Sequence, residues 1–175
     1  MDMATESLRV AATVDSPGAR SACSEYLSFF LGTEEYGIDI LKVKEIRSYE
    51  TPTRIATSPD HILGVVNLRG VIVPIVDLRL KFALEQHEYN DCTAVIVLNL
   101  QQRLVGVVVD RVSDVSQLSP DQVKSFPHFN QAIDAAFITG IGTLATSEGE
   151  RLLILLNIEH LMNRAYMGPG DQSLA

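Results

Sequence analysis

Few residues in this chain have the types and spacing that chemistry needs. Ser58, Asp60 and His61 lie together in "SPDH", but adjacency in sequence is not a triad, and no nucleophile elbow accompanies them. Helix capping already accounts for Ser58 and Asp60. "GIGTLA" from Gly140 has dinucleotide-loop glycine spacing, yet it runs through "TSEGE" into the apolar "RLLILL" instead of opening a helix, so it reads as strand and turn. His87, His128 and His160 are scattered with no companion at ligand spacing, and Cys23 and Cys92 form no C-x-x-C pair. Cys92, opening a strand, reads as a small core residue. These residues assign no catalytic centre, cofactor site or metal site. What remains is "GVVNLRGVIVPIVDLR", where Arg69 and Asp77 interrupt an apolar run.

The elements that hold those groups follow from composition and pattern. The chain has 175 residues, is 46% hydrophobic, and carries a net charge of -8 with no clustered Lys and Arg, which excludes nucleic acid as an expected partner. The longest apolar runs, such as Val71 to Val76, are strand-sized, so neither a membrane span nor a signal peptide is expected, and a reduced, cytosolic protein is. Residues 1–23 and 167–175 are small and polar and are expected to be disordered tails around a single domain over 24–166.

Within that domain, short runs rich in Val, Ile, Leu and Phe are broken by turn residues, giving a mainly β fold with few, short helices. The runs repeat. "YGIDILKVKEIR" matches "VGVVVDRVSDVS", setting Glu45 on Asp114 and Ile46 on Val115; "VIVPIVDL" matches "RLLILLNI", setting Asp77 on Asn157. One unit written twice implies two five-stranded barrels packed together, about 24–84 and 91–166, open to strand exchange between them. "SPDHIL" and "SPDQVK" each read as a helix of one or two turns with Ser at the N-cap. Asp77 and Asn157 are expected to cap helices, the second over Ile158 to Ala165.

"VVN-LRG-VIV" reads as a hairpin whose turn, with a bulge, needs a positive φ at Gly70 and places Arg69 at the exposed tip. The returning strand is apolar on both faces, so one face fills its barrel and the other meets the sister barrel or another protein. Pro74 cannot donate to a ladder and marks an edge or bulge nearby. Lys42, Lys44, Glu45 and Arg47 alternate with Val43 and Ile46, as in a strand with a solvated charged face.

"EEYGIDILKVKEIRSYE", "GVVNLRGVIVPIVDLRLKF", "YNDCTAVIVLNL" and "ITGIGTLATSEGERLLILLNIEHLM" together resemble the CheW family of bacterial chemotaxis coupling proteins, from about Glu25 to Met162. The resemblance implies SH3-like barrels and a non-enzymatic adaptor, without cofactor or metal, bridging transmembrane chemoreceptors and the regulatory domain of the histidine kinase CheA. It implies a cytoplasmic protein recruited to receptor arrays at the inner membrane. The receptor's helical hairpin tip would meet Val43, Glu45, Arg69 and Gly70, with Glu45 and Arg69 as a charge pair. It assigns no residue to the kinase contact, and leaves Asp77 structural. A scaffold for a different receptor–kinase pathway and a ligand-binding β-barrel enzyme are the alternative readings.

Overall fold

The computed structural model describes residues 23–85, 88–125 and 137–167. Both tails, apart from Cys23 and Met167, therefore lie outside the described residues, as do His87 and His128. Among the described residues eleven strands are joined by turns and a few short helices. They are β1 (Ser24–Leu31), β2 (Glu34–Asp39), β3 (Val43–Ser48), β4 (Ile62–Leu68), β5 (Val71–Asp77), β6 (Ala94–Leu100), β7 (Arg103–Val109), β8 (Arg111–Leu118), β9 (Val123–Lys124), β10 (Ile138–Thr146) and β11 (Gly149–Leu156). The helices α1 (Leu78–Lys81) and α2 (Ile158–Met167) follow the last strand of each repeat.

The strands form two sheets, one ordered β8-β1-β2-β11-β10-β9 and the other β3-β6-β7-β5-β4. The first has six strands, not five, because the chain after β8 adds the two-residue β9 against β10. Neither sheet coincides with a repeat: the opening hairpin of each repeat, β1–β2 or β6–β7, pairs with strands of the other. Each hairpin makes one parallel join, β2 to β11 or β7 to β5, and one antiparallel join, β1 to β8 or β6 to β3.

Three apolar clusters explain why so many strands are apolar on both faces. The largest lies between the sheets and draws Leu27, Phe29 and Ile38 from one, Ile96, Leu98 and Val107 from the other, and Leu78, Ile158 and Leu161 from the helices. A second, with Val73, Ile75, Val95, Val97 and Val108, fills the concave side of the β3–β4 sheet, and Leu118, Leu153 and Leu155 do the same for the other. Each such side chain stabilises the fold by roughly 1.5–3 kcal/mol on leaving water. In β5, Val73 and Ile75 face inward and Val76 faces the shared core, while Ile72 at the far end stays 60% exposed.

The β3–β4 sheet is strongly curved. Its edge strands, β3 and β4, would lie about 19 Å apart in a flat sheet. Instead the chain leaving β3 pairs with β4 through reciprocal hydrogen bonds between Thr53 and Val65, both 2.9 Å. Gly64 makes that approach possible, since a Cβ there would fall 2.0 Å from the Thr53 carbonyl oxygen. Pro74 sits opposite Val65, one residue before the parallel pairing of β5 with β7 begins at Ile75, where its missing donor costs no ladder bond to β7.

The helix expectations divide. Asp77 caps α1 by accepting the Arg79 N–H at 2.9 Å, and Asn157 caps α2 by accepting that of His160 at 3.1 Å. "SPDQVK" supplies a capping box and a 3-10 turn over Pro120–Gln122. "SPDHIL", by contrast, forms only a turn, because β4 begins at Ile62 and the His61 carbonyl is committed to the Asp77 N–H, leaving no room for a helix.

Candidate docking site

The tip of the β4–β5 hairpin is a two-residue turn. Leu68 still pairs with Val71, so Arg69 and Gly70 alone make the reversal, with φ of 51° and 91°. Two positive φ values match the right-handed twist of the flanking strands, and an arginine accepts the first at some conformational cost. Asn67 holds the turn by accepting the Gly70 N–H at 2.8 Å. The expected bulge is absent here and lies at the other end of the hairpin, between Ile62 and Gly64, where β4 bends to meet Thr53.

Arg69 reaches from this tip across the closing edge of the sheet, and its Nη2 donates to Glu45 Oε2 on β3. Glu45 also lies 3.9 Å from Arg47, which lies 3.9 Å from Glu50, so charges alternate along the rim. Arg69 is 66% exposed and Glu45 25%. An exposed ion pair of this kind adds at most about 1 kcal/mol to folding. Its chemistry is recognition: a fixed guanidinium and carboxylate presented beside solvent.

Of the four residues singled out in the sequence, Glu45, Arg69 and Gly70 thus come together. Val43 does not join them. A bulge between Val43 and Glu45 turns Val43 towards Leu98 and the shared core, whereas Glu45 pairs with Val97. The bulge also reverses the expected faces of β3: Glu45 and Arg47 are half-buried on the concave side, and Ile46 is exposed with Lys44 and Ser48. Arg47, read from the sequence as part of a solvated charged face and not grouped with the docking residues, was signalled by its spacing of two from Glu45, which on a strand places both side chains on one face. Behind the rim a cavity of about 210 Å³ is lined by Arg47, Thr53, Val65, Asn67, Leu68 and Val97 among others.

The repeat carries a matching arrangement. Asp114, aligned with Glu45, lies 3.6 Å from Arg151, which also pairs with the buried Glu35 at 2.8 Å. Val115, aligned with Ile46, is likewise exposed.

A second polar group is built around an ion pair sealed inside the protein. Arg79 and Asp77 have no exposed side-chain surface, and two guanidinium nitrogens donate to the Asp77 carboxylate at 3.0 Å each. Arg79 Nη1 donates to Asp110 Oδ1 at 2.7 Å and to the Glu88 carbonyl at 2.8 Å. Asp110 Oδ2 accepts the Gly32 N–H at 2.6 Å, and the Tyr89 hydroxyl donates to Asp77 Oδ2 at 2.7 Å. Burial works against the charge on Arg79, but its bonds to Asp77 and Asp110 outweigh this and raise its pKa further. Burial, then the bond to Asp77, raises that of Tyr89.

The motifs tested for catalysis are structural. "GIGTLA" lies within β10, paired with β11, and Ser58, Asp60 and His61 form the turn before β4. Cys92 is exposed, not a core residue, because its N–H closes an Asn90 turn ahead of β6. Among the described residues no cluster of His, Cys, Asp and Glu is arranged to hold a metal, and no helix is long and apolar enough to cross a membrane.

Residues 25–166 match the model of the CheW-like domain. The chain belongs to that family. It is 53% identical to the chemotaxis protein CheW of Klebsiella aerogenes, over 91% of this chain and 94% of the relative. It is 33% identical to the chemotaxis protein CheW of Treponema pallidum, over 79% and 82%. The crystal structure of the scaffolding protein TtCheW from Thermoanaerobacter tengcongensis superposes with a TM-score of 0.71 at 27% identity, covering 81% of this chain and 94% of that one. The chain is accordingly a non-enzymatic CheW-like adaptor of chemotaxis, working with other components of that signalling system.

Proposed function

We propose that this adaptor couples transmembrane chemoreceptors to the histidine kinase CheA, and that Glu45, Arg69 and Gly70 form the core of the surface meeting the receptor's helical hairpin tip. Val43, one bulge away on β3, supports that surface from below. The kinase's regulatory domain binds elsewhere, and the protein works in the cytoplasm at receptor arrays on the inner membrane. The observation that carries this reading is the Glu45–Arg69 pair itself, joined across the two edge strands of a curved sheet in a CheW-like chain. Folding gains little from so exposed a contact, so its geometry is free to serve a partner.

The test is co-sedimentation with receptor-containing membranes, with and without CheA, for wild type, Arg69→Ala, Glu45→Ala and the double variant. Melting should change by less than about 0.5 kcal/mol in stability for Arg69→Ala. Receptor affinity should fall by roughly 2 kcal/mol, as for an arginine desolvated on binding. The two substitutions should be non-additive. Full receptor binding by Arg69→Ala would sink the assignment.

A further inference from the structure

The docking strand β3 ends against an aromatic stack. Tyr49, the next residue, donates its N–H to the Thr93 carbonyl at 3.2 Å, and its ring lies on that of Tyr89 with centroids 4.5 Å apart and planes 24° from parallel. Tyr89 is itself held from two directions. Its hydroxyl is bound to the buried Asp77, and the Arg79 guanidinium lies 4.9 Å from its ring centroid. Arg79 also grips the backbone one residue earlier, at the Glu88 carbonyl. A surface loop between α1 and β6 is thereby anchored to a core ion pair, and the anchored ring abuts the end of β3.

Glu45 lies four residues, or about 13 Å of strand, from Tyr49. β3 is an edge strand, paired only with β6, and a bulge already interrupts that pairing after Val43. Of its two ends, the one at Tyr49 has the aromatic clamp. We propose that Tyr89 is a positioning residue for the docking site: held by Asp77 and Arg79, its ring fixes the end of β3 through Tyr49, and so sets where Glu45 meets Arg69. This inference rests on the docking reading of that pair, and Tyr89 acts on it from a distance instead of touching the partner.

Tyr89→Leu removes the ring; Tyr89→Phe keeps the ring and loses only the bond to Asp77. Amide hydrogen exchange in the free, full-length protein reads β3 without any partner. For Tyr89→Leu, exchange at the β3 amides paired with β6 should accelerate about tenfold, with β6–β7 amides unchanged, as in a local opening. Binding to receptor-containing membranes should weaken about tenfold, and Tyr89→Phe should fall between the two in both measurements. Unchanged β3 exchange in Tyr89→Leu overturns the proposal; if binding nonetheless falls, Tyr89 contacts the partner directly. If Tyr89→Leu loosens the whole molecule, Tyr89→Phe decides, acceleration confined to β3 supporting the proposal and uniform or absent acceleration refuting it. Failure of the wild type to bind receptor membranes would refute the docking reading, while the exchange data would still judge what Tyr89 does to β3.

Discussion

Arg79→Met should be among the most damaging single substitutions in the molecule. The side chain is fully buried, and methionine retains much of its volume, so the cavity term is small and the effect is electrostatic. What is left behind is the Asp77 carboxylate, also without exposed surface, having lost both guanidinium bonds and keeping the Tyr89 hydroxyl and the α1 N–H. Breaking a buried pair from one side costs about 3–5 kcal/mol. At roughly 2–4 °C per kcal/mol for a chain of this size, melting should fall by about 6–20 °C. The double variant Asp77→Asn/Arg79→Met separates charge from packing. Asparagine's one oxygen can still cap α1 by accepting the N–H at position 79, and its amide N–H, facing Tyr89 where Oδ2 was, can donate to the hydroxyl oxygen. It carries no charge needing compensation, so the double variant should melt several degrees above the single one. Calorimetry of the three proteins at neutral pH is the assay. A single variant within about 3 °C of wild type, or a double variant less stable than the single, would refute the reasoning that an uncompensated carboxylate dominates.

Two further outcomes can be measured on the same protein. Gly64→Ala should cost about 1–3 kcal/mol by chemical denaturation, since the new Cβ meets the Thr53 carbonyl oxygen and must open the bridge that curves the sheet. Tyr36 and Tyr89 both have raised pKa values, through burial and then bonds to Glu34 and Asp77 respectively. Protonated tyrosine is therefore favoured in the folded state; this stability is complete below the unfolded value of about 10 and is lost as pH rises towards the folded values, so melting should decline above pH ~10 and decline less steeply in Tyr89→Phe.

Much of this fold is legible in the chain because strand patterns are local. The apolar runs, the repeat, the Asp77 and Asn157 caps and the hairpin tip at Arg69 each depend on a few neighbouring residues. The mainly β architecture and the family follow from them. Features set by long-range pairing were less accessible. The β3 bulge, which turns Val43 inward and exposes Ile46, appears only once β6 is its partner. Ser58 lost its helix because the neighbouring His61 carbonyl is used by Asp77, a residue sixteen positions later. Cys92 was misplaced because a strand-opening position says nothing about which side of the turn faces solvent. The Arg79 network joins Gly32, Asp77, Tyr89 and Asp110, and nothing in their separate sequence contexts announces one cluster around a buried ion pair.

The interleaved strand order has a consequence for the birth of the protein. A ribosome that has released the first repeat has delivered β1 and β2 without β8 and β11, and β3, β4 and β5 without β6 and β7. Neither sheet has its central neighbours, and the apolar faces of both have nothing to cover them. The β3–β4 sheet can close once β7 emerges, but β1–β2 must wait for β8 and then for β11, near the end of the chain. Such non-local pairing slows folding and prolongs exposure of strand edges during synthesis. Separately expressed halves should therefore be insoluble or unfolded alone, and recover structure only when mixed.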